Sequence, residues 1–186
     1  MAYTTPPTKA VNDLLTASDW NTYIRDNLEF FRQNHGPLWI PARELIGTGT
    51  LATLGTEPNA IETWALINSF TFGGHATRQV PDDWISGGFT VKIHWAPNST
   101  NTGVVRFVLN YAFLGLGELV TVAGTELVIE PAADGVTSGI NIDAFAATAA
   151  PTAGELIRVD VRREGAHAND TFTGTAQIVA LELEYE

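Results

Sequence analysis

Four histidines, His35, His75, His94 and His167, are the first residues to test for chemistry. Metal sites of the HExxH and HxH kinds need imidazoles at short fixed spacings. No two of the four stand at such a spacing, and the chain has no cysteine, which removes thiolate sites as well. His35 belongs to a helix end, His75 to a glycine turn and His167 to a polar loop. His94 lies beside Lys92 on the polar face of a strand pattern. Each is expected to be a surface or turn residue. Asp134-Gly135 and Asp143 offer oxygens to a cation, but their spacing departs from a calcium-binding helix–loop–helix. Two carboxylates about 5 to 10 Å apart in a cleft hydrolyse glycosides, yet Glu182, Glu184 and Glu186 alternate along one strand and read as a solvated face. GxSxG, phosphate-loop and dinucleotide fingerprints do not occur. No catalytic residue, cofactor or metal is therefore expected, and the chain is not expected to be an enzyme.

Two further constellations carry weaker signals. Pro81-Asp82-Asp83-Trp84 reads as a turn whose tryptophan plugs one end of the fold; a sugar-stacking platform is the functional alternative. Arg162 and Arg163, just before Gly165, are expected to pair at the surface with Asp160 or Asp170, an interaction of small worth.

The elements that must position these residues are strands. Between Gly87 and Ala112, Phe89, Val91, Ile93 and Trp95 alternate with Thr90, Lys92 and His94, and Val105, Phe107, Leu109 and Tyr111 alternate with Arg106 and Asn110. Period two of this length marks strands with one buried face. The turn-forming run Pro97 to Gly103 predicts that the two form a central hairpin. Leu38-Trp39-Ile40-Pro41 begins the strand region, and 47–60 reads as a Gly/Thr-rich loop. Trp64 to Phe72 reads as a strand, with turns at Gly73-Gly74, Pro81-Asp82-Asp83 and Gly87-Gly88. Further strands are expected at Leu119–Val122, Thr125–Ile129, Val136–Ile142, Glu155–Arg162 and Thr173–Tyr185. The last presents Val179, Leu181, Leu183 and Tyr185 inward and its glutamates outward, as a protected edge or oligomer rim does. Eight or nine strands without an intervening helix predict a mainly β chain, an antiparallel sandwich of jelly-roll-like kind over 37–186.

One α-helix is expected ahead of it, over 17–33. Thr16 caps it and Asn34-His35-Gly36-Pro37 ends it. Trp20, Ile24, Asn27 and Phe31 share a stripe flanked by Tyr23, Leu28 and Phe30. A helix of this length is marginal alone in water, so the stripe must be covered. It packs either on its own sandwich or on copies of itself with Asn27 as a polar register-setter. Its terminal position and the self-sufficient β remainder favour the second. Residues 1–36 are then an extended arm and an oligomerisation or docking helix.

Composition narrows the partners. The 186 residues include 21 acidic and 10 basic side chains, a net charge of −11. So acidic a chain argues against binding phosphate backbones or anionic lipid, so neither nucleic acid nor membrane is an expected partner. No apolar run reaches the ~20 residues of a membrane helix. MAYTTPPTK lacks the charged-then-apolar pattern of a secretory signal, so synthesis and retention in a cytosol are expected unless the protein leaves by assembly or lysis. Asn98-Ser-Thr and Asn169-Asp-Thr are then turns and not glycan acceptors.

The N-terminal residues also resemble a known family. Met-Ala-Tyr-Thr-Thr-Pro, followed by Leu15-Thr-Ala-Ser-Asp-Trp-Asn-Thr-Tyr-Ile-Arg-Asp-Asn-Leu28, is similar to the opening segment of tailed-bacteriophage structural proteins, where a T-A-x-x-x-N-x-x-x-R-D-N-L helix precedes a variable β domain. Thr16, Ala17, Asn21, Arg25, Asp26, Asn27 and Leu28 carry the match. Val80 to Trp84, the GGFTVKIHW strand, Ala153 to Arg163 and Val179 to Tyr185 resemble β-sandwich domains of phage virions; 43–60 and 115–150 match nothing. The resemblance implies a non-enzymatic virion component, made in the host cytoplasm, that decorates the capsid or forms a head fibre. It implies a homotrimer that contacts other virion proteins such as the major capsid protein; the stripe residues Trp20, Tyr23, Ile24, Asn27 and Phe31 are then expected at the oligomer interface. A tail-tip receptor- or carbohydrate-binding protein is the alternative.

Overall fold

A computed structural model describes residues 37–47, 50–54, 61–67, 71–82, 84, 87–115, 117 and 124–185. In chain order the elements are β1 (Leu38–Pro41), a 3-10 turn (Ala42–Glu44), β2 (Ile46–Gly47), β3 (Thr50–Leu54), β4 (Ile61–Leu66), β5 (Thr71–Gln79), β6 (Phe89–Pro97), β7 (Thr102–Val104), β8 (Phe107–Leu114), β9 (Thr125–Ile129), β10 (Ala132–Asp134), β11 (Asn141–Ala144), β12 (Leu156–Glu164) and β13 (Ala176–Tyr185). One sheet runs β11-β6-β13-β4-β3, with β1 also on β13; a second runs β2-β5-β12-β8-β9; β7 and β10 form a small ribbon. Every pairing is antiparallel. The mainly β, antiparallel sandwich expected from the alternation is the fold.

The core lies between the two sheets. Phe89, Val91, Ile93 and Trp95 of β6 are fully buried, as are Leu181 and Leu183 of β13, Phe107 and Leu109 of β8, and Ile157, Val159 and Val161 of β12. Each is the alternate residue of its strand, so period two places all of them on the inner face. Trp95 meets Phe107 edge-on across the gap, ring centroids 5.4 Å apart. Its indole N–H donates to Asp143 Oδ2 of β11 at 2.7 Å, which satisfies the one polar atom that this burial would strand.

Several expected elements fall differently. The Gly87–Ala112 stretch is no hairpin, because β6 and β8 lie in opposite sheets. The connection crosses between sheets through β7, where Gly103 has φ +147° and a side chain would collide with Thr171 O. Gly73-Gly74 is no turn: both sit inside β5, opposite Arg162 and Val161 of β12. The expected strand Trp64–Phe72 is two strands, β4 ending at Leu66 and β5 beginning at Thr71. The expected loop 47–60 contains β3. Val136–Ile142 is mostly turn, closed by Gly139 N–H donating to Val136 O at 3.0 Å, with only Asn141–Ala144 as strand. The strand expected at Leu119–Val122, and the helix 17–33, lie outside the described residues.

β13 is neither edge nor rim. It pairs along one side with β6 and along the other first with β4, through Ala176–Ile178, and then with β1, through Ala180–Leu183. A register shift between Ile178 and Ala180 marks the changeover. The extra residue, Val179, is a bulge, and it lets one strand serve two short partners in succession. Short strands β1 and β4 therefore fill the role given to a single long neighbour in a simpler sheet.

Candidate functional site

The outer face of the six-stranded sheet collects the polar side of β6. Lys92 Nζ lies 2.6 Å from Glu184 Oε2 and 3.8 Å from Glu182 Oε1. His94 Nε2 lies 2.8 Å from Glu182 Oε2. The Glu184 carboxylate, with Glu182 behind it, holds the Lys92 ammonium above its ordinary value. Glu182 is only 13% exposed and pairs with Lys92 and His94 of the adjoining strand, whereas Glu184 is half exposed, as a solvated face requires; Glu186 lies outside the described residues. Trp39 of β1 tilts over the His94 ring, centroids 5.0 Å apart, and remains half exposed, as does Ile142 of β11 beside His94. His94 is thus partnered and partly covered, where the sequence suggests a plain surface residue.

The opposite sheet carries a denser ion cluster. Arg106 donates from Nε to Glu164 Oε2 at 2.9 Å and from Nη1 to Glu130. Arg162 donates to Glu126 at 2.7 Å and to Glu164 Oε1 at 3.1 Å. Hydrogen bonding to Arg106, then to Arg162, holds the Glu164 carboxyl below the usual range. Glu130 is lowered by the Asn169 amide first and Arg106 second.

Arg163, the next residue, points the other way. Its side chain and that of Asp170 are both fully buried. Nε and Nη2 donate to the two Asp170 oxygens at 2.8 and 2.7 Å, a two-pronged pair. The expected surface ion pair is therefore a core one for Arg163, and for Arg162 the partners are glutamates and not Asp160. The signal was in the alternation Ile157, Val159, Val161, Arg163: period two already assigned Arg163 to the inner face.

The remaining candidates are structural. Asp134 Oδ1 accepts from Val136 N–H at 2.9 Å and Asp143 accepts from Trp95, so these two carboxylates serve a turn and a core indole. No group of three His, Asp or Glu that could hold a metal ion occurs among the described residues. Trp84 lies against the Phe89 ring, centroids 4.9 Å apart and planes 26° apart, with its backbone N–H donating to Pro81 O at 3.0 Å. That is the geometry of a plug. His75 sits within β5 and not in a turn; His167 is in a turn and accepts from Asn169 N–H at 3.1 Å through Nδ1. His35 and the expected interface residues Trp20, Tyr23, Ile24, Asn27 and Phe31 lie outside the described residues.

No protein-family model matches the sequence, and no curated protein matches it. Solved structures do. The sandwich is similar to part of the mosquito-larvicidal Cry4Aa toxin from Bacillus thuringiensis, with a TM-score of 0.53 and 18% identity over 81% of this chain and 23% of that one. The likeness is one of fold. A family 35 carbohydrate binding module from Clostridium thermocellum matches 82% of this chain and 100% of its own length, with a TM-score of 0.45 and 16% identity. The B. thuringiensis insecticidal crystal protein Cry7Ca1 matches 80% of this chain and 22% of its own, with a TM-score of 0.46 and 14% identity. This chain thus spans about a quarter of the toxin chains it matches.

Proposed function

We propose that the protein is a structural component of a tailed-bacteriophage virion, in which a terminal helix over 17–33 joins copies to one another and to the particle and a jelly-roll-like sandwich is displayed outward. The observation that carries this reading is the Thr16–Leu28 motif set nine residues ahead of β1. β1 is a firm mooring for such a segment: it pairs with the middle of β13, from Leu38 opposite Leu183 to Pro41 opposite Ala180. A load applied through residues 1–36 is passed into the six-stranded sheet and not to a loose loop. The reading asks no chemistry of the protein. Its work is attachment, with several weak contacts adding through multivalency.

In this reading the copies are three, and Trp20, Tyr23, Ile24, Asn27 and Phe31 line their contact. Light scattering of the purified full chain at physiological salt is expected to give the mass of a trimer. Ile24→Asp places a charge in the stripe and is expected to give single chains, with the sandwich unchanged by circular dichroism. A monomeric wild-type chain would sink the oligomeric part of the proposal. Cross-linking of purified particles tests the rest: a capsid or head-fibre role requires links from residues 1–36 to another virion protein. The alternative, a tail-tip receptor- or carbohydrate-binding protein, is tested by Trp84→Ala in a glycan-binding or host-adsorption assay; Phe89 stacks on one face of that ring.

A further inference from the structure

The outer face of the five-stranded sheet holds a second surface that attachment does not use. A groove of about 260 Å³ is lined by Asn110, Ala112, Gly124, Arg158, Asp160 and Arg162. Register builds it: Arg158 stands opposite Ala112, and Asp160 opposite Asn110, on paired strands β12 and β8. All four alternate with the buried residues of their strands and so face outward. Ala112 supplies a low floor. Gly124 lets the Asn110 carboxamide pack directly against the backbone, where a side chain would collide with it.

Arg158 and Asp160 approach only to 4.0 Å, and Asn110 lines the same hollow. An amide, a carboxylate and a guanidinium thus face one small hollow. Charge decides what they suit. Arg162 is committed to Glu126 and Glu164, and Arg158 is balanced by Asp160. No unneutralised cation is left for an anion, which would also meet a chain of net charge −11. A cation would meet two guanidinium groups. An apolar ligand would strand three polar groups. Hydroxyls both donate and accept, so adjacent hydroxyls satisfy carboxylate, amide and guanidinium together.

We propose that this groove binds a neutral sugar residue, held by Asn110, Arg158 and Asp160 over Ala112. Its volume is just below the ~300 Å³ at which small-molecule sites begin, so it takes one ring and not an extended chain. The site stands independently of where the protein sits on a particle. The test is a titration of the isotope-labelled full chain with galactose, glucose, mannose, N-acetylglucosamine and galacturonate, followed by amide chemical shifts. At least one neutral sugar is expected to give saturable shifts centred on Asn110, Ala112, Gly124 and Arg158, in the millimolar range. Asn110→Ala and Asp160→Ala are each expected to weaken that binding about tenfold, the loss of one hydrogen bond to a charged or amide group. Ala112→Tyr fills the groove from the solvent side and is expected to abolish binding while core amides such as Val91 and Leu181 stay in place. The proposal is overturned if no neutral sugar saturates, if shifts centre elsewhere, if galacturonate binds more tightly than every neutral sugar, or if the three variants bind as wild type does.

Discussion

Arg163 has five N–H donors, and all five are used inside the protein. Beyond the two bonds to Asp170, it donates to Leu66 O at 3.2 Å, to Gly174 O at 2.7 Å and to Phe172 O. Leu66 ends β4 in one sheet, Arg163 belongs to β12 in the other, and Phe172 and Gly174 lead into β13. One side chain therefore fastens both sheets and a loop, and its guanidinium also lies 5.4 Å from the centre of the Phe172 ring. Buried ion pairs are often replaceable by apolar groups at little loss, because desolvation offsets attraction. Here the replacement also strands three backbone carbonyls, at about 1–3 kcal/mol each. Asp170→Ala leaves a buried cation without its partner and is expected to cost ~3–5 kcal/mol in denaturant unfolding. An Arg163→Met, Asp170→Leu double variant is expected to stay well below wild type as well. A double variant as stable as wild type would show that the carbonyls find water instead.

Glu164 gives the pH dependence its sign. Arg106 and Arg162 hold its folded carboxyl below the ordinary value, so its contribution is complete above the ordinary carboxylate range and is lost as pH falls through the lower, folded value. Glu164→Gln is therefore expected to have a lower urea midpoint than wild type at neutral pH, with the gap closing in acid. A gap that stays constant with pH would assign the side chain a packing role only.

At the scale of the element, alternation was legible wherever a strand buries one face, and illegible where glycine stands in for a side chain. β6, β8, β9 and β12 follow their apolar periods. Gly73 and Gly74 look like turn residues because glycine is the usual turn former; here they are needed because the backbone of β5 lies close to its neighbours. A side chain at Gly73 would come within 2.7 Å of Val161 O, and one at Gly74 within 3.0 Å of Leu45 Cβ. Which sheet a strand joins was also hidden, since β6 and β8 have the same pattern and only packing separates them. The groove's polar groups were unreadable for a related reason: Asn110 and Asp160 become neighbours only through the β8–β12 register. Glycine-to-alanine changes inside strands ordinarily stabilise by roughly 0.5–1 kcal/mol. At Gly73 the contact is with backbone, which cannot swing aside, and overpacking costs about 1–3 kcal/mol. Gly73→Ala is thus expected to lower the thermal midpoint; a raised midpoint would mean that β5 and β12 separate easily.

For the whole molecule the largest unspent quantity is charge. Each copy carries −11, and any assembly of copies gathers that charge into one body. Two forces then compete in the proposed trimer: apolar burial along the Trp20–Phe31 stripe, which salt does not screen, and repulsion between sandwiches, which it does. The screening length falls from ~30 Å at 0.01 M salt to ~8 Å at 0.15 M, so repulsion between neighbouring domains fades over that interval. If the stripe holds the copies together, association strengthens with salt. Sedimentation equilibrium of the full chain at low and at physiological ionic strength is expected to show a smaller dissociation constant at the higher salt. Ile24→Asp is expected to remain monomeric at both, because screening cannot restore a buried apolar contact. Weakening with salt would instead place ion pairs at the interface, and the acidic sandwich would then be joining copies through basic residues and not through the helix stripe.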